Sequence, residues 1–444
     1  MQPFASSEPL DAARRQALHD EVHARPPEAL TAPLVVTHWA MLADASERAA
    51  SRAHLAELLA GRGQPAPAQD AVYWRADLGD FALRWEQHTE FVSWTFMRPL
   101  QPPEVLALQH GEPPNAAELA PAAWRAAIPG RALAGIQLWV LPKAGTDRAA
   151  LVRHLLDERT LTGSNVISHS SELHTDMQLR PDGCVRMLVF TGEVAPGQVS
   201  PRRLGRLVQR LLEIETYRMA ALLALPTARA ASRCLAGGET ELASLAQAVC
   251  QAERADEPAL LDRLTRLAAE LEGLYAATHT RFAASAAYHD LVVKRLHDIA
   301  ESRIESMQSL HDFMERRLTP AMSTCRSAAR RQAALSERIA RMSHLLRTRV
   351  EIEQQQSSRE LLAAMDRRGA MQLKLQSTVE GLSVAAITYY VVGLIGYLVK
   401  GAHGLGWPLS AEATMAIAVP LVAGGVWWSL RRLHHRIMGD AHHR

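Results

Sequence analysis

GLSVAAITYYVVGLIGYLV, residues 381–399, is the stretch of this sequence that decides the fold, because it holds nineteen consecutive residues without a charged side chain. A helix of that length crosses roughly 30 Å, the thickness of the hydrocarbon core of a bilayer. A second apolar stretch, ATMAIAVPLVAGGVWWSL at residues 413–430, follows a connector at residues 400–412. The pattern predicts a two-helix transmembrane hairpin with an outer loop. The alternative is a buried helical hairpin in a large soluble core.

Basic residues around the two apolar stretches predict their orientation. Lysine and arginine flank each stretch on the side away from the connector, and the connector itself has only Lys400. Positively charged flanks stay on the cytoplasmic side, so both termini are predicted to be cytoplasmic and residues 431–444 to be a basic cytosolic tail. We therefore expect the chain to lie in the lipid bilayer of an inner (cytoplasmic) membrane. The flanking residues are Arg367, Arg368, Lys374, Arg431, Arg432 and Arg436.

Composition limits the number of domains, the partners and the kinds of site that can be expected in the chain. Its 444 residues suffice for two or three domains, and a formal net charge of +2 gives no reason to expect nucleic acid as a partner. The cysteines lie far apart without a CxxC pair, which is typical of reduced thiols and argues against a zinc site or a disulfide framework. We expect no cofactor. The four cysteines are Cys184, Cys234, Cys250 and Cys325.

Residues 1–200 are predicted to form a cytosolic α/β domain. Within AVYWRADLGDFALRWEQHTEFVSWTFM (71–97), turn residues at Leu78–Asp80 and His88–Glu90 separate three antiparallel strands. Alternation in the middle strand predicts one buried face. Its alternating apolar residues are Phe81, Leu83 and Trp85. Further predicted strands are GIQLWVL (135–141), SNVISHS (164–170), ELHTDMQL (172–179) and CVRMLVFTGEV (184–194), and the predicted helices are ASERAASRAHLAELLAGR (45–62) and TDRAALVRHLLDE (146–158).

Residues 201–380 are predicted to form a helical bundle and a long stalk helix. The stretch RLVQRLLEIETYRMAALLAL (206–225) has a broad apolar face and stops at Pro226. Two more helices are predicted, from about Glu239 to Ala252 and from Pro258 to Arg317. The sequence thus predicts an α+β cytosolic domain followed by a long-helix bundle, a stalk and the transmembrane hairpin.

The start of the stalk helix is predicted at Thr319, as N-cap, with Pro320 at the first helical position. Because no further proline occurs before Pro408, the helix is expected to run unbroken to Val399. A single helix of that length needs support from a partner. Apolar residues in a four-three-four spacing predict a packed, coiled-coil-like seam. They are Leu335, Ile339, Met342 and Leu346.

Several long motifs resemble a bacterial family of membrane-anchored proteins known as domain of unknown function 3422. The resemblance covers essentially the whole chain. It implies a membrane-anchored protein and no particular chemistry. The motifs are EVHARPP (21–27), RWEQHTEFVSWTF (84–96), GRLVQRLLEIETYRMAALLALP (205–226), RFAASAAYHDLV (281–292), LLRTRVEI (345–352) and LQSTVEGLSVAAITYY (375–390).

The predicted order of elements is also similar to that of the CorA-type divalent-cation channels. This resemblance implies a homo-oligomer, in that family a pentamer, in which the first span of each subunit lines a pore for an ion. The Gly-Met-Asn signature that those channels carry at the outer mouth is missing. In its place stands GYLVKG (396–401), where Lys400 would form a ring of positive charge, which puts magnesium selection in doubt.

A polar stripe along the first span supplies the candidate pore-lining residues. At 100° per residue, Glu380, Ser383, Tyr390 and Tyr397 fall within roughly a third of the helix circumference, with Lys400 at the outer end. A ring of such faces would give a carboxylate ring, hydroxyl groups and apolar constrictions along a pore. Alternatively, the tyrosines pack between two helices or sit at the interface, and Glu380 lies among lipid headgroups.

Two polar segments are candidates for contacts between the domains. In EIETYR, Glu215 and Arg218 are adjacent by the i, i+3 rule, and Glu213 lies one turn before a tyrosine. This cluster either couples the α/β domain to the helical part or only stabilises their contact. In HDEVHARPP, prolines end the preceding helix, so His23 and Arg25 are expected in a loop that makes a structural or regulatory contact.

No metal site is predicted, although one segment contains weak candidates for metal ligands. If SELHTDMQL is a strand, His174 and Asp176 share a face with Glu172 by the period of two, and His169 lies just before them. A polar outer face of an antiparallel sheet explains the same pattern, and no further ligands converge on it. His88 and Glu90 are likewise either metal ligands or polar residues on an outer face of the sheet.

Two classes of function remain. The first is an oligomeric inner-membrane protein that resembles CorA-type channels and conducts an ion under control of its cytosolic domain. The second is a membrane-anchored cytosolic sensor or scaffold whose spans only hold it in place. An enzyme is not expected, because the sequence contains no P-loop, GxGxxG, HExxH or nucleophile elbow. The oligomeric state in detergent would separate the two classes, since a monomer has no central pore.

Overall fold

In the computed structural model the chain forms two compact units, Met1–Ser343 (unit 1) and His344–Arg444 (unit 2).

 The predicted boundary between residues 200 and 201 falls inside unit 1, where the helices that follow residue 200 pack on the sheet. The residues that the structure describes are 14–16, 18–19, 26–192, 199–252, 256–403 and 411–440.

A nine-stranded mixed sheet forms the centre of unit 1. The strands are β1 Leu34–Leu42, β2 Tyr73–Asp77, β3 Ala82–Gln87, β4 Phe91–Pro99, β5 Arg131–Pro142, β6 Thr162–Val166, β7 Ser171–Thr175, β8 Val185–Thr191 and β9 Ser302–Arg303. Their order across the sheet is β2-β3-β4-β1-β5-β8-β7-β6-β9. Strands β5 and β8 are parallel, and the other neighbouring strands are antiparallel.

Helices cover both faces of this sheet. The α-helices of the described residues are α1 Ala45–Ala60, α2 Pro102–Ala107, α3 Ala122–Ala126, α4 Arg148–Leu155, α5 Pro201–Leu222, α6 Ala224–Gln251, α7 Glu257–Asp298, α8 Leu310–His403 and α9 Ala411–Asp440. The end of α8 and all of α9 belong to unit 2. One apolar core contains residues of α1, α3 and α4, and the other contains residues of α5, α6, α7 and the first part of α8. The predicted α+β domain followed by long helices is thereby confirmed.

Strand β1 shows how the sheet supplies both cores. Val35 belongs to the core under α1, whereas Leu34 and Val36 belong to the core under α5, as the period of two requires. This strand was not predicted. Because both of its faces are buried, it is a nearly continuous apolar run, which periodicity alone does not assign to a strand.

The predicted three-stranded segment is confirmed as β2, β3 and β4 with both turns in place. The other predicted strands correspond to β5, β6, β7 and β8, and the two predicted helices before residue 200 to α1 and α4. The strand predicted over residues 164–170 ends early, at Val166. Beyond it Ile167, Ser168 and His169 all have positive φ angles, which turn the chain into β7.

The helix predicted from Pro258 to Arg317 is wrong. Helix α7 ends at Asp298, and the chain then forms β9, which pairs with β6 at the edge of the sheet. Ala300 and Ser306, with φ angles of 49° and 66°, turn the backbone out of the helical conformation. The pairing with β6 is a tertiary contact, so the local sequence pattern does not contain the signal for this break.

The helix start predicted at Thr319 and Pro320 is also wrong, because α8 begins at Leu310 and Pro320 lies inside it. The start is fixed by capping groups upstream. Glu301 accepts hydrogen bonds from the backbone N–H groups of Leu310 and His311 at 2.7 and 2.9 Å. A carboxylate at this end also complements the helix dipole.

The long stalk helix itself is confirmed, since α8 is continuous from Leu310 to His403. In unit 1, its residues Leu335 and Ile339 are buried, as the predicted seam requires. The helix predicted from about Glu239 to Ala252 is longer than expected and begins at Ala224. Pro226 lies in the first turn of that helix, α6, where its missing N–H removes no helical hydrogen bond.

Unit 2 contains the two predicted apolar stretches, one in α8 and the other in α9. Among the described residues, the helical range Leu310–Gly401 is the one with a window long and apolar enough to cross a membrane, and 11% of that window is buried. Within the unit, Gly396 of α8 lies against Met415 of α9, whose sulfur would be 3.0 Å from an added Cβ. The structure thus contains a long apolar helix, which is a weak indication of membrane association.

The segment before β1 lies across the start of α5. The backbone N–H of Leu30 donates to the carbonyl of Pro201 at 3.0 Å. The carbonyl of Glu28 lies so close to Gly205 that a Cβ at that position would overlap its oxygen. Glycine at position 205 is therefore required by a close approach of two backbone segments.

We expect Gly205→Ala to destabilise unit 1, although glycine to alanine normally stabilises a helix. The added methyl group must displace the segment around Glu28, at a cost of about 1–3 kcal/mol in the free energy of unfolding. Urea unfolding of the purified chain, followed by tryptophan fluorescence, measures this change. Gly237→Ala is the matched control, because no atom lies within 4 Å of its added Cβ. Equal stability of the two variants would contradict the packing described.

Candidate functional site

A polar cavity of about 300 Å³ lies in unit 1 between the sheet and α5. Strands β1, β3 and β4 form one wall, and α5 with α7 forms the other. Charged and hydrogen-bonding side chains dominate this space, unlike the apolar cores on either side. Six of the polar lining residues are His38, Arg84, Glu86, Gln209, Glu213 and Arg295.

The polar wall results from the alternation of β3 and β4. In β3, Leu83 and Trp85 enter the core under α1, so Arg84 and Glu86 must point to the opposite face, which α5 covers. In β4, Ser93 lies opposite Glu86 across the strand pair and also lines the cavity. The sheet therefore buries charged residues on this face instead of exposing them to solvent.

Arg84 is the most unusual residue of the cavity. Its exposed fraction is 5%, and its nearest opposite charge is Glu86, with Nε and Oε2 3.3 Å apart. No described residue accepts a hydrogen bond from its guanidinium, and Nε is a buried donor without a partner. A guanidinium offers five N–H donors, and burying them unsatisfied is costly. The cavity thus contains unused donors on a fixed positive charge.

His38 joins the sheet to α5 next to this arginine. Its Nδ1 lies 2.8 Å from Thr95 Oγ1 on β4, and its Nε2 lies 3.2 Å from Thr216 Oγ1 on α5. Burial, together with the positive charge of Arg84, lowers the pKa of His38 to about 3. The imidazole is therefore neutral near pH 7, so one of its nitrogens donates and the other accepts.

The opposite wall carries a second pair of charges. Glu213 on α5 accepts a hydrogen bond from Gln209 Nε2 at 2.9 Å and pairs with Arg295 on α7. Arg295 also contacts Asp298, with Nη1 and Oδ2 3.2 Å apart. The donors and acceptors of this wall are largely engaged with one another. Spare donor capacity is therefore concentrated at Arg84.

A neighbouring cavity of about 440 Å³ shares the side chains of His88, Phe91 and Tyr217 with the polar cavity. Tyr288 of α7 lines its far side and stacks on Tyr217, with ring centroids 5.8 Å apart. Burial and the nearby carboxylate of Glu90 raise the pKa of Tyr288. The Tyr288 hydroxyl therefore stays protonated at neutral pH, and the shared residues His88, Phe91 and Tyr217 form the boundary between the two spaces.

The residues predicted from EIETYR divide between two sides of α5. Glu213 faces the polar cavity, as described above. Glu215 and Arg218 form the buried ion pair that their spacing predicts, with Nε–Oε2 and Nη2–Oε1 distances of 2.7 and 2.6 Å, and they line a different cavity. Their proposed role in coupling the domains stays a prediction. The other two candidates for that role, His23 and Arg25, lie outside the described residues.

The predicted stripe of the first span lies on α8 in unit 2. Tyr390 and Tyr397 have exposed fractions of 71% and 79%, so they do not pack between α8 and α9 of one chain. Lys400 is also exposed, whereas Ser383 and Glu380 are half-buried. The residues of this span that contact other parts of unit 2 lie mainly on another face of the helix, around Gly396.

The weak metal-ligand candidates are not brought together. His174 is buried 3.7 Å from Glu172, and burial lowers its pKa. Asp176 lies beyond the end of β7, where it pairs with Arg180 and accepts the backbone N–H of Asp157 at 2.9 Å. Glu172 is engaged by Lys143 and Arg148, and His169, in the turn before β7, lies 3.4 Å from Ser302. Among the described residues, no three His, Cys, Asp or Glu side chains are placed to hold a metal ion.

The polar cavity was not predicted from the sequence, because charged residues in a strand normally indicate its solvent face. One available signal was the next strand, β4, in which Ser93 and Thr95 interrupt an otherwise apolar run. The burial of all residues from Phe91 to Met97 shows that neither face of β4 meets solvent. In the structure the partner strand β3 is likewise buried on both faces, from Leu83 to Glu86.

We expect His38→Gln to reduce the loss of stability of the chain in acid. Between the unfolded pKa of 6.5 and the folded value of about 3, the unfolded state binds a proton that the folded state excludes. The contribution of His38 therefore falls by up to about 1.4 kcal/mol per pH unit as the pH decreases through this window. The difference in unfolding free energy between wild type and the variant, measured at pH 7, 6 and 5, should become smaller as the pH falls. A constant difference would contradict the burial of a neutral His38.

Comparison with known proteins identifies the family of the chain. No curated protein and no solved structure matches it. The resemblance to CorA-type channels therefore gains no support. A family described as "Protein of unknown function (DUF3422)" matches residues 11–437, nearly the whole length, which confirms the resemblance seen in the sequence motifs. The chain belongs to the DUF3422 family.

Proposed function

We propose that this protein is a membrane-anchored receptor whose unit 1 binds a small oxyanion-bearing metabolite in the polar cavity. The observation that carries this proposal is the buried guanidinium of Arg84, which makes no hydrogen bond to a described residue. A carboxylate or phosphate group of a ligand would supply the missing acceptors, because both groups match the geometry of a guanidinium. This proposal is the membrane-anchored sensor that the sequence suggested, and the polar cavity is its binding site.

The charge of the cavity limits the kind of ligand. Arg84 and Arg295 are balanced by Glu86 and Glu213, and His38 is neutral, so the site carries little net charge. Such a site favours a ligand with one anionic group and further polar groups over a multiply charged anion. The volume of about 300 Å³ corresponds to a small metabolite. Candidate ligands are therefore small carboxylates, amino acids and simple phosphates.

The apolar stretches of unit 2 support the anchor in this proposal. The stretches at residues 381–399 and 413–430 would form a hairpin in the bacterial inner membrane, with both termini cytoplasmic and residues 400–412 outside. Arg431 and Arg432 lie over the rings of Trp427 and Trp428, each 4.9 Å from the ring centroid. Aromatic and basic residues paired in this way are typical of the membrane–water interface.

We expect Arg84→Gln to weaken binding of the ligand by about 10- to 100-fold, the effect of losing a charge-assisted hydrogen bond. Isothermal titration of the purified full chain with glutamate, lactate and inorganic phosphate measures this change and distinguishes carboxylate from phosphate recognition. Arg62→Gln is the matched control, because Arg62 pairs with Asp80 away from the cavity.

Removing Arg84 also leaves Glu86 as a buried unpaired carboxylate, which destabilises a fold. The double variant Arg84→Gln, Glu86→Gln removes this cost and should still bind weakly. Wild-type affinity in the double variant, or an equal loss of affinity in Arg62→Gln, would show that Arg84 does not hold the ligand. Absence of binding by all three probes to the wild type would reject the oxyanion site.

A second candidate function is an ion-conducting homo-oligomer in the membrane. The observation that favours it is the exposure of Tyr390 and Tyr397 on a face of α8 that α9 does not cover. Tyr390 stands at the middle of the predicted span, where a hydroxyl group facing lipid lacks a hydrogen-bond partner. A ring of subunits would turn this face, with Glu380, Ser383 and Lys400, towards a central axis. The anchored receptor remains the first proposal, because its site lies within one chain.

Cysteine accessibility tests both the topology and the pore. A membrane-impermeant thiol reagent, applied from outside to cells with a permeabilised outer membrane, should label Gly404→Cys but not a cysteine at Arg444. Labelling of Tyr390→Cys and Tyr397→Cys is expected only if water fills a central pore. Val384→Cys and Val391→Cys are the matched controls, since both side chains are half-buried within unit 2.

Each outcome of this experiment decides one point. Equal labelling at residues 404 and 444 would reject the hairpin topology. Labelling of Tyr390→Cys well above Val391→Cys would support the pore, and ion flux in proteoliposomes should then change in Tyr390→Ala. Equal protection of Tyr390→Cys and Val391→Cys would reject the pore and leave the anchored receptor.

A further inference from the structure

A third cavity of unit 1 lies on the other side of α5, where the ends of β1 and β5 meet the loop before β8. Its volume of about 580 Å³ falls within the range typical of ligand sites, and it shares no lining residue with the polar cavity. In contrast to that cavity, most of its wall is apolar. Six of the apolar lining residues are Trp39, Met41, Ile128, Leu133, Val185 and Met219.

Small residues at the start of β5 create this space. Ala132 and Ala134 line it, and Gly135 is fixed by the backbone, because a Cβ there would lie 2.5 Å from the carbonyl oxygen of Gly183. Protein interiors are otherwise filled to the density of organic crystals, with few voids larger than a water molecule. The chain therefore leaves an apolar space that its own side chains do not fill.

Four charged side chains line the polar end of the cavity, namely Arg125, Arg218, Glu215 and Asp182, and Asp182 accepts the backbone N–H of Cys184 at 2.9 Å. Both carboxylate oxygens of Glu215 accept from Arg218, and Glu215 is 2% exposed. Nη1 of Arg218 has no partner among the described residues. Arg125, which also lines the cavity, uses Nε to donate to the carbonyl of Ala120 at 3.1 Å. Two guanidinium groups thus offer donors beside an apolar wall.

We propose that this cavity binds an amphiphilic monocarboxylate, such as a medium-chain fatty acid, with its head at Arg218 and Arg125. The apolar body would lie against Trp39 and the side chains around it, where burial removes hydrocarbon from water. The carboxylate would accept hydrogen bonds from the guanidinium groups, a pairing that is stronger than a neutral one. This proposal does not depend on the polar cavity or on its ligand.

Binding of radiolabelled decanoate to the full chain in lipid nanodiscs tests the proposal. Wild type should bind decanoate saturably above the partition into lipid. Ala132→Phe places a ring at the exposed mouth of the cavity and should weaken binding at least tenfold. Ala123→Phe is the matched control, because Ala123 is exposed on α3 and does not line the cavity, and it should bind as wild type does.

Two further measurements separate the head contact from a general apolar affinity. In the wild type, unlabelled decanol should displace labelled decanoate less well than unlabelled decanoate does. Arg125→Gln should weaken decanoate binding about tenfold but leave the affinity for decanol unchanged. Arg62→Gln, at a residue that lines neither cavity, should bind decanoate normally. The absence of a saturable component, normal binding by Ala132→Phe, or equal competition by decanol would overturn the proposal.

Discussion

Helix α5 packs across a sheet face that is apolar at one end and charged near β3, and this packing is the constraint on which unit 1 depends. Apolar residues of α5 join the core formed with β5 and β8, while Thr216 reaches the neutral imidazole of His38. Burying Arg84 and Glu86 beneath the helix costs desolvation energy that their 3.3 Å ion pair offsets only in part. The apolar contacts of α5 must supply the remainder.

The same helix separates two spaces of opposite character. Glu213 and Thr216 face the polar cavity, whereas Glu215 and Arg218 face the apolar one, as the turn of 100° per residue allows. The segment EIETYR therefore contributes charged residues to both sides within two turns. Its pattern looked like a single ion-pair cluster in the sequence, because one-dimensional spacing shows which residues are neighbours on a helix but not which surfaces the helix separates.

Local patterns predicted those parts of the fold that local forces determine. The alternation of Phe81, Leu83 and Trp85 and the two flanking turns were sufficient to predict β2, β3 and β4 correctly. The break between α7 and α8 depends on pairing of β9 with β6 and on the capping carboxylate of Glu301, which are contacts between distant parts of the chain. The candidate site was missed for a related reason. Arg84 resembles a solvent-facing strand residue until α5 is known to cover it.

A ligand would act on the fold through this same arrangement. An oxyanion at Arg84 would satisfy donors that the folded chain leaves unpaired, so binding should stabilise the packing of β3 and β4 beneath α5. Glu213 and Arg295 on the opposite wall connect α5 to α7, and Thr278 of α7 in turn hydrogen-bonds Gln332 of α8 across 3.3 Å within unit 1. Helix α7 thus contacts both α5 and the first part of the long helix, through residues about 25 Å apart along its axis. A receptor role requires that these contacts differ between the free and the bound state, because a ligand shifts a conformational equilibrium only by its difference in affinity for the two states.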